Sequence, residues 1–136
     1  MTITVAYRTM TGHSRKIAVA VAKALNVEAV DIKKQPDIGD SDMLFIVGGI
    51  YGGASNPDLV KFAESLDSSR IKRAALITSC ASRKFFQKEV RAALVARGID
   101  VVTEEVVCWG NFLFYGLGHP NKTDFDAAIN FAKKYL

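Results

Sequence analysis

The chain has 136 residues, enough to bury a core in one domain and too few for two, so residues 1–136 are read as a single domain. Apolar residues make up 49% of it, as in soluble globular proteins, and no apolar run approaches the ~20 residues that span a bilayer, so membrane insertion is not expected. The net charge of +4 is spread over Arg15/Lys16, Lys33/Lys34, Arg70/Lys72/Arg73, Arg83/Lys84 and Lys133/Lys134, without interleaved exposed aromatics, which argues against a nucleic-acid partner.

The chain enters Ile3-Thr4-Val5-Ala6-Tyr7, a β-type run, with no charged leader or cleavage signal before it, so a cytoplasmic location is expected. A helix is predicted from Gly12-His13-Ser14 to about Leu25, with Ile17, Val21, Ala24 and Leu25 at helical spacing. Val27–Ile32 reads as a second strand and Lys33–Ser41 as a polar loop. Met43–Val47 is a continuous apolar run, the pattern of a parallel strand buried on both faces. The glycine-rich stretch Gly48–Gly53 follows, then a helix capped by Asn56 with Pro57 in its first position, ending near Leu66.

Ala74–Thr78 is a fourth strand, followed by a loop over Ser79–Lys84. A helix from about Phe85 to Arg97 stops at Gly98, and Val101–Val107 is a fifth strand. A loop over Gly110–Lys122 leads to a last helix, for which Thr123 and Asp126 are the expected capping pair. Alternation of β and α from end to end implies an α/β three-layer sandwich. Its parallel sheet of about five strands should take the order 2-1-3-4-5, with helices on both faces and a crevice beside strands 1 and 3.

Three loops at the carboxyl ends of strands 1, 3 and 4 hold the unusual residues. Thr9-Met10-Thr11-Gly12-His13-Ser14 stands where strand 1 meets a helix N-terminus, whose unpaired N–H groups and partial positive charge suit a phosphate. It has no Walker lysine and no GxGxxG spacing. Cys80 and Cys108 do not form a disulfide framework, and with His13 and His119 they lack zinc-ligand spacing, so no metal site is expected. Cys80 has no adjacent base in sequence, and no catalytic residue is assigned.

Thr9-x-Thr11-Gly12-x-Ser14 resembles the phosphate loop of flavodoxins, after a strand ending in an aromatic residue. Ile50-Tyr51-Gly52-Gly53 resembles their flavin-stacking loop, and the pattern from Gly118 to Asp124 resembles that of small flavodoxin-like proteins. The resemblance implies FMN as cofactor. Thr9, Thr11 and Ser14 would donate hydroxyl hydrogen bonds to its phosphate, with backbone N–H groups around Gly12 and His13 completing the cradle. Tyr51, following Ile50, would stack on the isoalloxazine, while Gly52, followed by Gly53 in the same loop, leaves its peptide free to reorient beside the ring. The third loop, Ser79, Cys80, Ala81 and Ser82, would meet the pyrimidine edge, with Phe85 or Phe86 as a further aromatic neighbour. Cys108 and Trp109 are expected in the core.

The resemblance implies an electron carrier between redox proteins. A small reductase or dehydrogenase acting on a quinone or tetrapyrrole is the alternative on the same fold. Flavodoxins carry carboxylates around the flavin, whereas this chain has Gly53, Ser82, Arg83 and Lys84 there. A partner with an acidic docking face is therefore expected.

Overall fold

The computed structural model describes residues 1–9, 12–51, 54–80, 86–109 and 121–136, with Tyr51, Cys80 and Trp109 described by their backbone. In chain order the elements are β1 (Ile3–Tyr7), α1 (His13–Ala24), β2 (Ala29–Asp31), β3 (Ser41–Tyr51), β4 (Ala54–Ser55), α2 (Pro57–Glu64), β5 (Ile71–Cys80), α3 (Lys88–Ala96), β6 (Asp100–Trp109) and α4 (Lys122–Lys133). Five strands form a parallel sheet in the order β2-β1-β3-β5-β6, which is the expected order 2-1-3-4-5. The sixth strand, β4, is a short antiparallel addition to the end of β3.

Strand alternation sorts the core into two layers. Val5, Phe45, Val47 and Ile77 face α1 and α4 and pack with Ile17, Val21, Ala128 and Phe131. Ala6, Leu44, Ile46 and Leu76 face the other way and pack with Leu59, Phe62, Val90 and Leu94 from α2 and α3. β3 is central, and Met43 to Val47 are buried on both faces, as the unbroken apolar run requires.

Several boundaries differ from the sequence reading. β3 continues through Gly48 and Gly49, and β5 takes in Ser79 and Cys80, because the parallel ladder runs on through Gly49↔Ser79 and Ile50↔Cys80. Ser79 and Cys80 are thus strand residues rather than loop residues. β6 likewise includes Cys108 and Trp109. The second strand is shorter than expected, since the Val27 N–H is spent on Ala22 O at 2.9 Å in the turn that ends α1.

α3 begins at Lys88, because Gln87 is its N-cap and turns its side chain into the interior. The capping box of α4 is Asn121 with Asp124, not Thr123 with Asp126. Asn121 Oδ1 accepts from the N–H groups of Thr123 and Asp124, and the Asn121 N–H donates to Asp124 Oδ2 at 2.9 Å. Asn is the stronger cap and places its acidic partner three residues on.

Candidate functional site

The turn between β1 and α1 is built on Gly12. Its φ of 91° lies in the left-handed region that L side chains avoid, and a β-carbon there would meet nothing within 4 Å. The Gly12 N–H donates to Thr9 Oγ1 at 2.8 Å, which closes the turn and leaves the Thr9 hydroxyl hydrogen for another acceptor. Gly12 is also the N-cap of α1, and among the described residues no side chain caps this helix. Ser14, in the first turn, is fully buried, and among the described residues its Oγ has no hydrogen-bond partner. Such an orphan costs about 1–3 kcal/mol unless something binds it.

The first turn of α1 holds no acidic residue but carries His13, Arg15 and Lys16. Cations at this end oppose the helix dipole. Burial, and secondarily the charge of Lys16, hold His13 below the ordinary imidazole value. An anion at the helix start would answer the dipole, the cations and the Ser14 hydroxyl together. The residues present therefore fit a phosphate. Met10 and Thr11 lie outside the described residues.

Arg8, just before this turn, was not picked out from the sequence. Its Nε–H donates to Asp58 Oδ2 at 3.0 Å and its Nη1–H to Thr9 O at 3.1 Å. It thus ties the first loop to the first turn of α2. The second expected loop leaves the sheet at Tyr51, which pairs with Ala54, while the buried Ile50 pairs with Ser55. Gly52 and Gly53, which stand between them, lie outside the described residues. Asn56 then caps α2 through Oδ1 to the Asp58 N–H at 2.9 Å, as read from the sequence.

The strand ends bring the second and third regions together. Ile50, Cys80 and Trp109 stand side by side across β3, β5 and β6, and Ser79 lies one residue below, between Gly49 and Cys108. Ala81, Ser82, Arg83, Lys84 and Phe85 lie outside the described residues. Phe86 is 47% exposed. Cys108 is buried, with Sγ 3.4 Å from Asp124 O, and packs in the core rather than in the crevice. Among the described residues no group of three His, Cys, Asp or Glu side chains is placed to hold a metal ion.

A buried polar cluster beneath the third region was missed. Glu105 of β6, with its side chain 3% exposed, meets Arg91 Nη2 at 3.2 Å. It also accepts from the Thr78 hydroxyl at 2.7 Å and from the Gln87 N–H at 2.9 Å. The signal was available: a glutamate pair interrupts the apolar run of the fifth strand.

A doubly wound sheet with an anion-ready turn after β1, beside a row of strand ends, defines the class of phosphate-anchored flavin domains. The family model for the flavodoxin domain matches residues 4–108, and the chain belongs to that family. FMN is its cofactor, and electron transfer is the chemistry that FMN supplies when bound. A comparison with curated protein sequences finds no match.

Solved structures show the same fold. Flavodoxin 2 from Bacillus cereus is 19% identical, with a TM-score of 0.74 over 99% of this chain and 97% of its own. A short-chain flavodoxin associated with a non-canonical PDU bacterial microcompartment is 20% identical, with a TM-score of 0.69 over 98% of this chain and 95% of its own. The rubredoxin oxygen:oxidoreductase of Desulfovibrio gigas matches 96% of this chain with 34% of its own, at 15% identity and a TM-score of 0.72. Among the described residues no helix is long and apolar enough to cross a membrane.

Proposed function

We propose that this chain, as one domain over residues 1–136, is a cytoplasmic carrier that takes electrons from one redox protein and delivers them to another. The observation that carries the reading is the buried Ser14 hydroxyl at the start of α1, unpartnered among the described residues. A hydroxyl in that state is stable when an acceptor completes it, and the FMN phosphate is the acceptor the turn suits. Thr9, Thr11 and Ser14 donate to the phosphate, and the N–H groups from Met10 to His13 close around it. Arg8 keeps the turn in register with α2 through Asp58.

Tyr51 stacks on the ring system, with Ile50, Gly52 and Gly53 shaping the same wall. Ser79, Cys80, Ala81, Ser82 and Phe85 border the pyrimidine edge. The partner presents an acidic docking face, complementary to the +4 chain.

The test is a comparison of two assays on the FMN-loaded protein. A carrier is reduced by a flavoprotein reductase and passes electrons to an acidic acceptor protein, with negligible steady-state turnover of NAD(P)H, quinone or tetrapyrrole on its own. Sustained turnover of one of those small molecules makes the protein an enzyme and overturns the carrier reading.

A further inference from the structure

We propose that Glu105 is a positioning residue for the flavin ring. It would act through Thr78 and Gln87, which flank the segment that leaves β5 and enters α3. This rests on the FMN reading above. One carboxylate holds both flanks: Oε2 accepts from the Thr78 hydroxyl, two residues before β5 ends, and from the Gln87 N–H, where α3 is about to begin.

The Gln87 side chain closes the ring of bonds. Its Nε2–H donates to Ile77 O and to Thr78 Oγ1, each at 3.1 Å, so the Thr78 hydroxyl hydrogen is directed at Glu105. Arg91 answers the charge from the other side. Its Nη2–H donates to Glu105 Oε1 and its Nη1–H to Val102 O at 2.9 Å. The two flanks are thereby held to one carboxylate, and the sequence between them, residues 79–86, contains the residues assigned to the pyrimidine edge.

Two further features favour positioning over bulk stability. The β5–β6 register shifts between Ala74, opposite Val101, and Leu76, opposite Glu105, so four residues of β6 run beside two of β5. An even surplus keeps Glu105 on the face of α3, opposite Leu76 and one pleat short of Thr78, which projects from the same face. Irregularities of this kind re-aim side chains near sites. The Arg91–Glu105 pair, with Glu105 buried and Arg91 half-buried, adds little stability over a well-packed apolar pair of the same volume.

The test uses Glu105→Gln, which keeps the shape but sets an amide N–H against either Arg91 or the Gln87 N–H. FMN and riboflavin dissociation constants are measured for the folded apoprotein, beside Leu66→Ala. Leu66 is a buried residue of the same core layer, beyond the carboxyl end of α2 and away from the strand ends. The expected result is that Glu105→Gln weakens both flavins by about tenfold or more with their ratio unchanged, because the ring and not the phosphate loses its contacts. Leu66→Ala should leave both constants within about twofold of wild type.

If Glu105→Gln does not fold, Thr78→Val is measured in its place and should weaken both flavins by about threefold or more. A loss no larger than that of Leu66→Ala, or a loss confined to FMN, overturns the proposal. Wild-type protein that binds neither flavin overturns the FMN reading itself, and this inference with it.

Discussion

Leu59 of α2 rests directly on Gly48 of β3: a β-carbon at Gly48 would lie 2.2 Å from Leu59 Cδ1 and 2.9 Å from Gln87 Oε1. No real contact is that short, so helix α2 can sit at this depth only over a glycine. Gly48→Ala is expected to destabilise the fold by about 1–3 kcal/mol, the range for overpacking. In a Leu59→Ala background the same change should cost less than half as much, because the colliding methyl is gone. Urea unfolding of the four proteins of the cycle checks this. Equal costs in both backgrounds would mean that the collision is not with Leu59.

The glycine-rich stretch shows what the sequence conveyed and what it withheld. Gly48 to Gly53 read as one glycine-rich stretch, yet Gly48 and Gly49 are strand residues, and Gly48 is kept small by Leu59 and Gln87 rather than by a turn. The alternation of elements, the strand order and the turn at Gly12 were legible because each rests on local chemistry: β-branched runs, helix caps and a glycine next to hydroxyls. Strand ends were not, since how far β5 and β6 run depends on ladder partners distant in sequence. The links from Arg8 to Asp58 and from Glu105 to Gln87 are likewise long-range, and no spacing rule announces them.

His13 gives the phosphate turn a pH signature. In the absence of flavin its pKa lies below the ordinary 6.5, through burial and then the charge of Lys16. A group depressed on folding contributes stability that is complete above the unfolded value and is lost as pH falls through the lowered one. A phosphate dianion beside it favours the charged ring, so FMN binding should move the His13 pKa upward. NMR titration of the ring protons with and without FMN reads this directly. An unchanged or lowered value would place the anion elsewhere.

Acid should unfold the apoprotein in a salt-sensitive way. Asp37 is held below its usual 3.8 by the Gly39 N–H and then by Arg70. Asp67 is held down by the Ser69 N–H, and Glu104 by a hydrogen bond from Lys134. Depressed carboxylates stabilise the fold above their unfolded values, and that contribution disappears as pH falls through the lowered ones. The carboxylate contribution should therefore be constant from neutrality to about pH 5 and then fall, adding to the loss that His13 begins below its unfolded value. These groups are exposed, so the charge contributions should shrink when salt is added. Guanidinium, itself a salt, is unsuitable here; urea unfolding at low and high sodium chloride is the measurement.

The basic balance carries an expectation for the flavin and its partner. Arg83 and Lys84 lie in the segment assigned to the flavin edge. A unit charge at ~8 Å contributes on the order of 2 kcal/mol at an effective dielectric of 20 and less where solvent screens it. Arg83→Glu/Lys84→Glu should lower the reduction potential of bound FMN by roughly tens of millivolts and slow association with an acidic acceptor. Redox titration and stopped-flow transfer at low salt test both; no change in either would make these side chains a solvated surface.

The central claim, that the turn from Thr9 to Ser14 holds the phosphate of FMN, is tested most directly by titrating the apoprotein with FMN and with riboflavin, before and after Ser14→Ala. Riboflavin has the same ring and lacks only the phosphate. Wild-type protein should bind FMN more tightly, and Ser14→Ala should weaken FMN by ~1.5–3 kcal/mol, the scale of a hydrogen bond to a charged group, while leaving riboflavin unchanged. Equal affinity for the two flavins in the wild type, or an equal loss of both in the variant, would contradict it.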